Sequence, residues 1–364
     1  MKVLHILGEL KPSGAETMLL CAATFMLEQG IEGEILATGE KSGVFSSPLE
    51  NAGYKIHHIP FRKHPQYFLA IYRLVKAGHY DAIHIHAEKA SFWVTLILLL
   101  AGMPAKRCVR TIHNTFAFTG NLRWRRAWQR QVLSFLGVPH ITISKSVQET
   151  ELNCYNMPTN IIQNWYDSQR FVKTSETAYQ QARQQLQLND NDFAIITVGN
   201  CSQVKNHAVL IQAIAGLNKQ NIVYLHIGIE KDRSEQELAE QLGIANQIRF
   251  LGQQNDILPY LQAADLYVMP STHEGFSIAA TEAIATEVPV LLSNVPGLKD
   301  FAEFFNGLYY CEPNAESVRQ VLASIMDQPK QTTRLSTKGN AAQAERCFGI
   351  KRGASAYISY YKGE

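Results

Sequence analysis

The sequence predicts an α/β protein made of two doubly wound parallel sheets, and three observations predict it. Short apolar, β-branched runs alternate with helical patterns, twice over along the chain. At 364 residues the chain is too long for one ordinary core. The segments carrying candidate ligand-binding chemistry fall just after the strand candidates, where open parallel sheets bind their ligands.

In the first half the strand candidates are Val3–Leu7, Ile35–Ala37, Lys55–Ile59, Ala82–Ile85, Cys108–Ile112 and His140–Ser144. In the second half they are Ala194–Val198, Val223–Ile227, Ile248–Leu251, Leu266–Met269, Val290–Ser293 and Leu308–Tyr310. Helical patterns fill most of the gaps. Polar residues accumulate over 164–181 before a glutamine-heavy helical stretch, which places the join there: a first domain over 1–166 and a second over 167–344. Residues 345–364 have helical apolar spacing. The run 92–104 has about ten consecutive apolar-type residues, where roughly 20 are needed to cross a bilayer. It predicts a buried helix. No secretory signal is expected, because residues 1–10 run straight into a strand.

An apolar content of 46% and a charged content of 18% suit a globular protein rather than a disordered or fibrous one. Six scattered cysteines lack paired metal spacing and predict reduced, buried thiols. Charge is asymmetric. Residues 1–166 hold 17 Lys+Arg against 11 Asp+Glu, net +6, and the remainder holds 17 against 21, net −4. An anionic partner facing the first half would account for this.

Five segments carry candidate chemistry. From Val268 to Ser277 a strand ends, a turn follows and a helix is expected to begin around Gly275 to Ser277. The unpaired N–H groups and dipole of a helix start favour a phosphate. Glu274 precedes that positive end and Glu282 is expected about two turns into the helix. A carboxylate can accept from two vicinal hydroxyls, so two acids flanking a phosphate cradle suit a sugar nucleotide. After the strand ending at Val198, a glycine loop leads to Lys205, which could neutralise a diphosphate leaving group. After the first strand, Gly14 could let the backbone approach a ligand closely. After the fifth strand, His113 could donate to a sugar hydroxyl or to developing charge. Finally, Arg123, Arg125, Arg126 and Arg130 interleave with Trp124 and Trp128, four apart on one helix face. That pattern suits an anionic membrane interface, a nucleic acid, or a basic helix with packed tryptophans.

Taken together and in order, these segments resemble the retaining family 4 glycosyltransferases of the GT-B fold. Glu274 to Ala283 resembles that family's E-x7-E signature, and Ser13 to Glu16 its N-terminal GGxE-type loop. Asp81 to His86, Thr111 to Asn114, Ile143 to Ser146, Asn164 to Asp167, Arg249 to Gly252, Pro289 and Val290, and Val295 to Gly297 resemble further family segments. The resemblance implies two Rossmann-like domains facing across a cleft. The first would bind the acceptor, with residues 345–364 packing back on it, and the second the nucleotide-sugar donor. It also implies roles. Glu274 would contact the donor sugar and Glu282 the ribose. Backbone N–H groups of Phe276 and Ser277, after Gly275, would hold the diphosphate beside Lys205. Phe250 and Leu251 would border the base, His113 would lie near the reacting sugar and Gly14 near the phosphates. Three positions depart from the pattern: Asn200 where the family usually has a phosphate-binding arginine, Ser13 for a glycine, and the loop from Gly228 to Lys231.

The expected activity is retaining, metal-independent hexosyl transfer, with no cofactor. The expected donor is a UDP-sugar and the expected acceptor is lipid-linked or a growing glycan of a cell-surface polysaccharide. Arg123, Trp124, Arg125, Arg126 and Trp128 would seat the protein peripherally on the cytoplasmic, inner face of the plasma membrane. No nucleic-acid partner is expected. The rival readings are an epimerase-type GT-B enzyme acting on UDP-sugars and a non-catalytic sugar-nucleotide binding protein.

Overall fold

A computed structural model describes all residues, 1–364. The chain divides into two compact units, Met1–Tyr166 with Phe348–Glu364, and Asp167–Cys347. The first contains strands β1 (Lys2–Leu7), β2 (Glu32–Ala37), β3 (Lys55–His58), β4 (Ala82–Ile85), β5 (Cys108–Ile112), β6 (His140–Thr142) and β7 (Asn160–Ile161). They form one sheet in the order β3-β2-β1-β4-β5-β6-β7, and every pairing is parallel. The second contains β8 (Phe193–Val198), β9 (Ile222–Ile227), β10 (Ile248–Phe250), β11 (Leu266–Met269), β12 (Val290–Ser293) and β13 (Leu308–Cys311). Their order is β10-β9-β8-β11-β12-β13, again parallel throughout.

Burial on both faces explains the continuous apolar runs. Along β4 and β11 every residue is buried, as parallel sheets covered by crossover helices require. In each sheet the strand order reverses once, beside β1 in the first and β8 in the second. The loops leaving β1 and β4, and those leaving β8 and β11, therefore diverge to opposite faces and leave a crevice at the carboxyl end. Strand β7 is too short to register as an apolar run and is absent from the sequence-based expectation. Three of the six free cysteines, Cys108, Cys201 and Cys311, are buried and the other three are partly exposed, so burial of all six does not hold.

The helix over the apolar 92–104 run spans Ser91–Leu100. It is not wholly buried as expected. Phe92, Val94 and Leu98 pack inward, whereas Trp93 and Leu100 are 56% and 72% exposed. No helix is long and apolar enough to cross a membrane.

The C-terminal helix Ile350–Lys362 belongs to the first unit. Gly353 permits its close contact with Trp165, since a Cβ there would stand 2.3 Å from the indole. The indole N–H of Trp165 donates to the Met18 carbonyl at 2.9 Å. Tyr357 and Tyr361 are fully buried. The Tyr361 hydroxyl lies 2.6 Å from His84 Nδ1 and the Tyr357 hydroxyl 2.9 Å from the Thr111 hydroxyl. Tyr361→Phe removes the hydroxyl and leaves His84 Nδ1 buried without a partner. The expected cost is about 1–3 kcal/mol, read as a lower denaturation midpoint with an unchanged m-value.

Candidate active site

The second unit assembles its site from the two loops at the strand-order reversal. After β8, Gly199 adopts φ +157°, and a Cβ there would approach the Lys205 side chain to 3.3 Å. The glycine thus leaves room for the lysine stem. Asn206 takes the left-handed conformation at φ 58° and donates from its side-chain amide to the Pro270 and Pro313 carbonyls, at 3.1 and 3.2 Å. The Thr272 N–H donates to the Val204 carbonyl at 2.8 Å. These bonds sew the loop after β8 to the loop after β11. As a result Lys205 Nζ lies 2.6 Å from Glu274 Oε1, and the Ser271 hydroxyl donates to the same oxygen at 2.9 Å. The lysine is therefore paired rather than a free, solvated loop cation. Its side chain is 28% exposed and that of Glu274 12%.

Gly297 presses on this loop from the connection after β12. It sits at φ +83°, and a Cβ would lie 2.3 Å from the Glu274 carbonyl oxygen. Only glycine suits both the backbone angle and the gap.

The helix after Glu274 begins later than expected. It spans Ile278–Ala285, with Ser277 as N-cap accepting the Ala280 N–H at 3.1 Å. Serine is favoured at that position because its oxygen satisfies a helix-start donor. The cap places the leading N–H groups at Ile278 and Ala279 rather than at Phe276 and Ser277. Glu282 is accordingly about one turn into the helix, not two. It is 7% exposed, and its carboxylate makes no hydrogen bond within the protein. Burial pushes its carboxyl up to about 8, against the pull of Arg170. Both Glu274 and Glu282 also raise the hydroxyl pKa of Tyr267, fully buried in β11, though burial is the larger cause. The segment from Glu274 to Glu282 thus brings two acids near one tyrosine in opposite states, Glu274 ion-paired and Glu282 desolvated without a hydrogen-bond partner.

The remaining candidates of this unit lie on neighbouring loops. Asn200 accepts the Ile229 N–H on Oδ1 at 2.8 Å and so holds the loop after β9. Gly228 is pinned against Gly199, since a Cβ would meet that carbonyl oxygen at 2.2 Å. Phe250 ends the edge strand β10 with its ring 5.6 Å from that of His226, and the Leu251 N–H donates to the His226 carbonyl at 2.9 Å.

In the first unit, Gly14 opens the helix Gly14–Glu28 after Ser13. The buried Glu16 accepts from the Ser13 hydroxyl and so tethers this loop. His113, just past β5, is linked through Nε2 to His86 Nδ1 at 3.1 Å, and His86 Nε2 to His5 Nδ1 at 3.3 Å. Burial lowers the His113 pKa to about 4 and that of His5 to about 3. His86 is also held well below its usual range, by burial and then by its histidine neighbours. Neutral rings suit such a chain, where each link needs one N–H and one lone pair. Sequence reading missed this chain. His5, His84 and His86 share one sheet face, an arrangement that the i, i+2 spacing of His84 and His86 alone could have signalled. Their ligating atoms lie within 4.8 Å of one another, close enough to hold a metal ion. However, both nitrogens of His84 are engaged, by Tyr361 at 2.6 Å and by Thr111 at 2.7 Å. Hydrogen bonding already satisfies that member of the cluster.

The helix Gly120–Phe135 carries the Arg/Trp segment. Trp124 and Trp128 are 73% and 59% exposed. Arg123 donates from Nε to the Cys154 carbonyl at 2.9 Å, and Arg130 is buried between Glu151 and Glu88. The fourth arginine of the pattern is therefore structural.

Two all-parallel units, one presenting a lysine–glutamate pair before a helix start, define a two-domain, doubly wound α/β architecture. Comparison with known proteins gives the family. Residues 12–170 match the model for Glycosyltransferase Family 4, and residues 179–342 match that for Glycosyl transferases group 1. The chain belongs to the family 4, group 1 glycosyltransferases with the GT-B fold. It is 24% identical over 323 residues to the capsular polysaccharide biosynthesis glycosyltransferase CapH of Staphylococcus aureus, covering 84% of each chain. It is 26% identical over 243 residues to the Escherichia coli UDP-Gal:alpha-D-GlcNAc-diphosphoundecaprenol alpha-1,3-galactosyltransferase, covering 63% of this chain and 62% of that one. The Anabaena protein HepE, solved with UDP and glucose, superposes over the full length of both chains with TM-score 0.81 at 21% identity, a likeness of fold.

A pH test isolates Glu282. A carboxyl whose folded pKa stands above its unfolded value holds its proton better when folded, so its contribution to stability falls as pH rises from about 4.5 to about 8. Glu282→Gln cannot ionise. Its Tm minus that of the unaltered protein should be nearly constant below pH 4.5, climb between pH 5 and 8, and level off above. A difference that stays flat to pH 9 would show that Glu282 is not desolvated.

A second test concerns Gly297. Gly297→Ala forces a Cβ onto the Glu274 backbone at a positive φ, and should destabilise the protein by about 1–3 kcal/mol. Thermal melts read that cost.

Proposed function

We propose that the protein is a retaining, UDP-sugar-dependent hexosyltransferase that extends a lipid-linked or growing glycan during cell-surface polysaccharide synthesis. The observation that carries this reading is the Lys205–Glu274 pair, set 2.6 Å apart before the capped start of the Ile278–Ala285 helix. Lys205 and the helix end supply positive charge where a diphosphate would gain negative charge on leaving. Glu274 supplies a fixed acceptor for donor-sugar hydroxyls. Glu282, lacking any protein partner, gains hydrogen bonds from a ribose diol. Phe250 and Leu251 border the base and Gly14 approaches the phosphates.

The relatives point the same way. The E. coli enzyme is named for a UDP-galactose donor and a diphosphoundecaprenol-linked acceptor, and CapH for capsular polysaccharide biosynthesis. HepE was solved with UDP and glucose.

In the proposed reaction the bond from the anomeric carbon to the UDP phosphate oxygen breaks as the acceptor hydroxyl oxygen bonds to the same face. The hydroxyl proton passes to the departing phosphate. Configuration is kept without a protein nucleophile. The counter-charge comes from Lys205 and the helix start, so this reading includes no metal and no cofactor. His113, neutral and oriented through His86, serves the reacting sugar as a hydrogen-bond partner rather than as a cation. The first unit takes the acceptor and rests on the cytoplasmic face of the membrane.

The test is release of UDP from a panel of UDP- and GDP-sugars. One UDP-sugar should be turned over. Glu274→Ala and Lys205→Met should each reduce kcat by roughly 10²-fold or more, since each removes an interaction that strengthens with charge development. Turnover of no nucleotide sugar, or interconversion of a UDP-sugar without release of UDP, would overturn this reading, the latter in favour of an epimerase-type enzyme.

A further inference from the structure

One cavity of the first unit is unlike the rest of its surface. It has a volume of about 540 Å³ and is floored by Phe61, Phe68, Phe92 and Trp93. Its rim carries Lys63, Lys89, Arg125 and Arg126, and no acidic residue lines it. None of these four cations makes a salt bridge. The nearby Glu88 is already held by Arg110 and by Arg130 at 3.3 Å, and Arg130 is further bound to Glu151 at 2.6 Å. Two carboxylates against three arginines leave a surplus positive charge: Arg126 feels Glu88 without a salt bridge and donates from Nη1 only to Gln129 Oε1, at 3.4 Å. The Arg126 Nε is buried without a hydrogen-bond partner, and its guanidinium stands 5.3 Å from the Phe118 ring centroid. Lys89 Nζ lies 4.8 Å over the Phe61 ring. The site therefore combines surplus positive charge, an unused buried donor and an aromatic floor within a drug-sized volume.

A purely anionic ligand would leave the aromatic floor unused, and a purely apolar one would leave the surplus charge and the Arg126 Nε–H without a partner. A single amphiphile satisfies both. We propose that this groove binds the diphosphate and first isoprene units of a polyprenyl diphosphate, the lipid end of the acceptor. The inference rests on the lipid-linked acceptor reading above and locates that ligand. It also divides the Arg/Trp segment by function. Arg125 and Arg126 face the groove, whereas Arg123 is tied to the Cys154 carbonyl. Arginine forks suit the diphosphate oxygens, and the lysines add point charge.

The experiment is calorimetric titration of the full-length protein with farnesyl diphosphate, inorganic pyrophosphate and farnesol. Farnesyl diphosphate should bind at one site with micromolar Kd, and each fragment at least about tenfold more weakly. Lys89→Gln with Arg126→Gln should weaken farnesyl diphosphate by about tenfold or more, since both substitutions remove charge-assisted donors to the diphosphate. Lys219→Gln, on the second unit, controls for net charge and should change nothing. Thermal melts confirm folding of each variant, and UDP titration reports the donor site separately. Equal affinity for pyrophosphate would reduce the groove to an anion site, and equal affinity for farnesol to an apolar one; either overturns the proposal. So would the absence of farnesyl diphosphate binding by the unaltered protein alongside binding to anionic vesicles that the Lys89→Gln with Arg126→Gln variant loses, which would make these cations a membrane surface. UDP-sugar turnover without farnesyl diphosphate binding would sink this inference and leave the transferase reading standing.

Discussion

An all-parallel sheet forces every crossover to return to the same end of the strands, and the rest of this protein depends on that constraint. The chain leaves each strand at the carboxyl end and enters the next only after a helix. Where the strand order reverses, two successive loops turn to opposite faces. In the second unit those loops follow β8 and β11, and they carry Lys205 and Glu274. Residues 69 apart in sequence thus meet at 2.6 Å without any distortion of the sheet. The same reversal in the first unit lies between β1 and β4, whose facing histidines His5 and His84 are direct register partners.

Proximity of loops is not yet a site. The loops must approach closer than side chains allow, and glycine at three positions permits it. Gly228 lies on Gly199, Gly199 on the Lys205 stem, and Gly297 on the Glu274 carbonyl. Each contact is backbone against backbone or against a functional side chain. Each replaces flexibility by a contact that leaves little slack. The asparagine side chains complete the fastening, Asn206 across to Pro270 and Pro313, and Asn200 to Ile229. A short polar side chain that bonds backbone holds a loop at no cost in volume.

Much of this architecture is legible in the sequence. Buried parallel strands write themselves as continuous apolar runs, so both sheets could be read off, apart from the two-residue β7. The E-x7-E pattern and the lysine after a glycine loop pointed to two segments that the fold brings together at Lys205 and Glu274. What could not be read was partnership. Lys205 as an isolated loop lysine is ordinary, and only the stitching of Val204 to Thr272 brings it to Glu274. The bond from the Ile229 N–H to Asn200 could not be read because sequence shows residue type and not direction. The Ser277 cap shifted the helix start because a serine after a glycine and an aromatic can end a loop or begin a helix equally well. The i, i+2 spacing of His84 and His86 hinted at the histidine chain, but its links could not be read because His5 lies in β1 and His86 and His113 just past β4 and β5. The buried face of the Ser91–Leu100 helix was overestimated because an apolar run says nothing of what covers it.

The two glutamates show why spacing alone underdetermines chemistry. Both lie near Tyr267, yet one is compensated and the other is not. Glu274 has Lys205 and Ser271 on one oxygen, so its charge is stabilised before any ligand arrives. Glu282 has neither, and burial holds its proton to about pH 8. An unpaired buried carboxyl is destabilising unless something bonds to it. A partner that offers hydroxyl groups removes that penalty whichever protonation state it meets, because the carboxyl can donate as well as accept when neutral. In the proposed reading, fold stability is exchanged for ligand affinity at Glu282, and the ion pair at Glu274 orients its carboxylate. One helix start can host both roles because the cap at Ser277 separates them, with the paired acid outside the helix and the unpaired one within it.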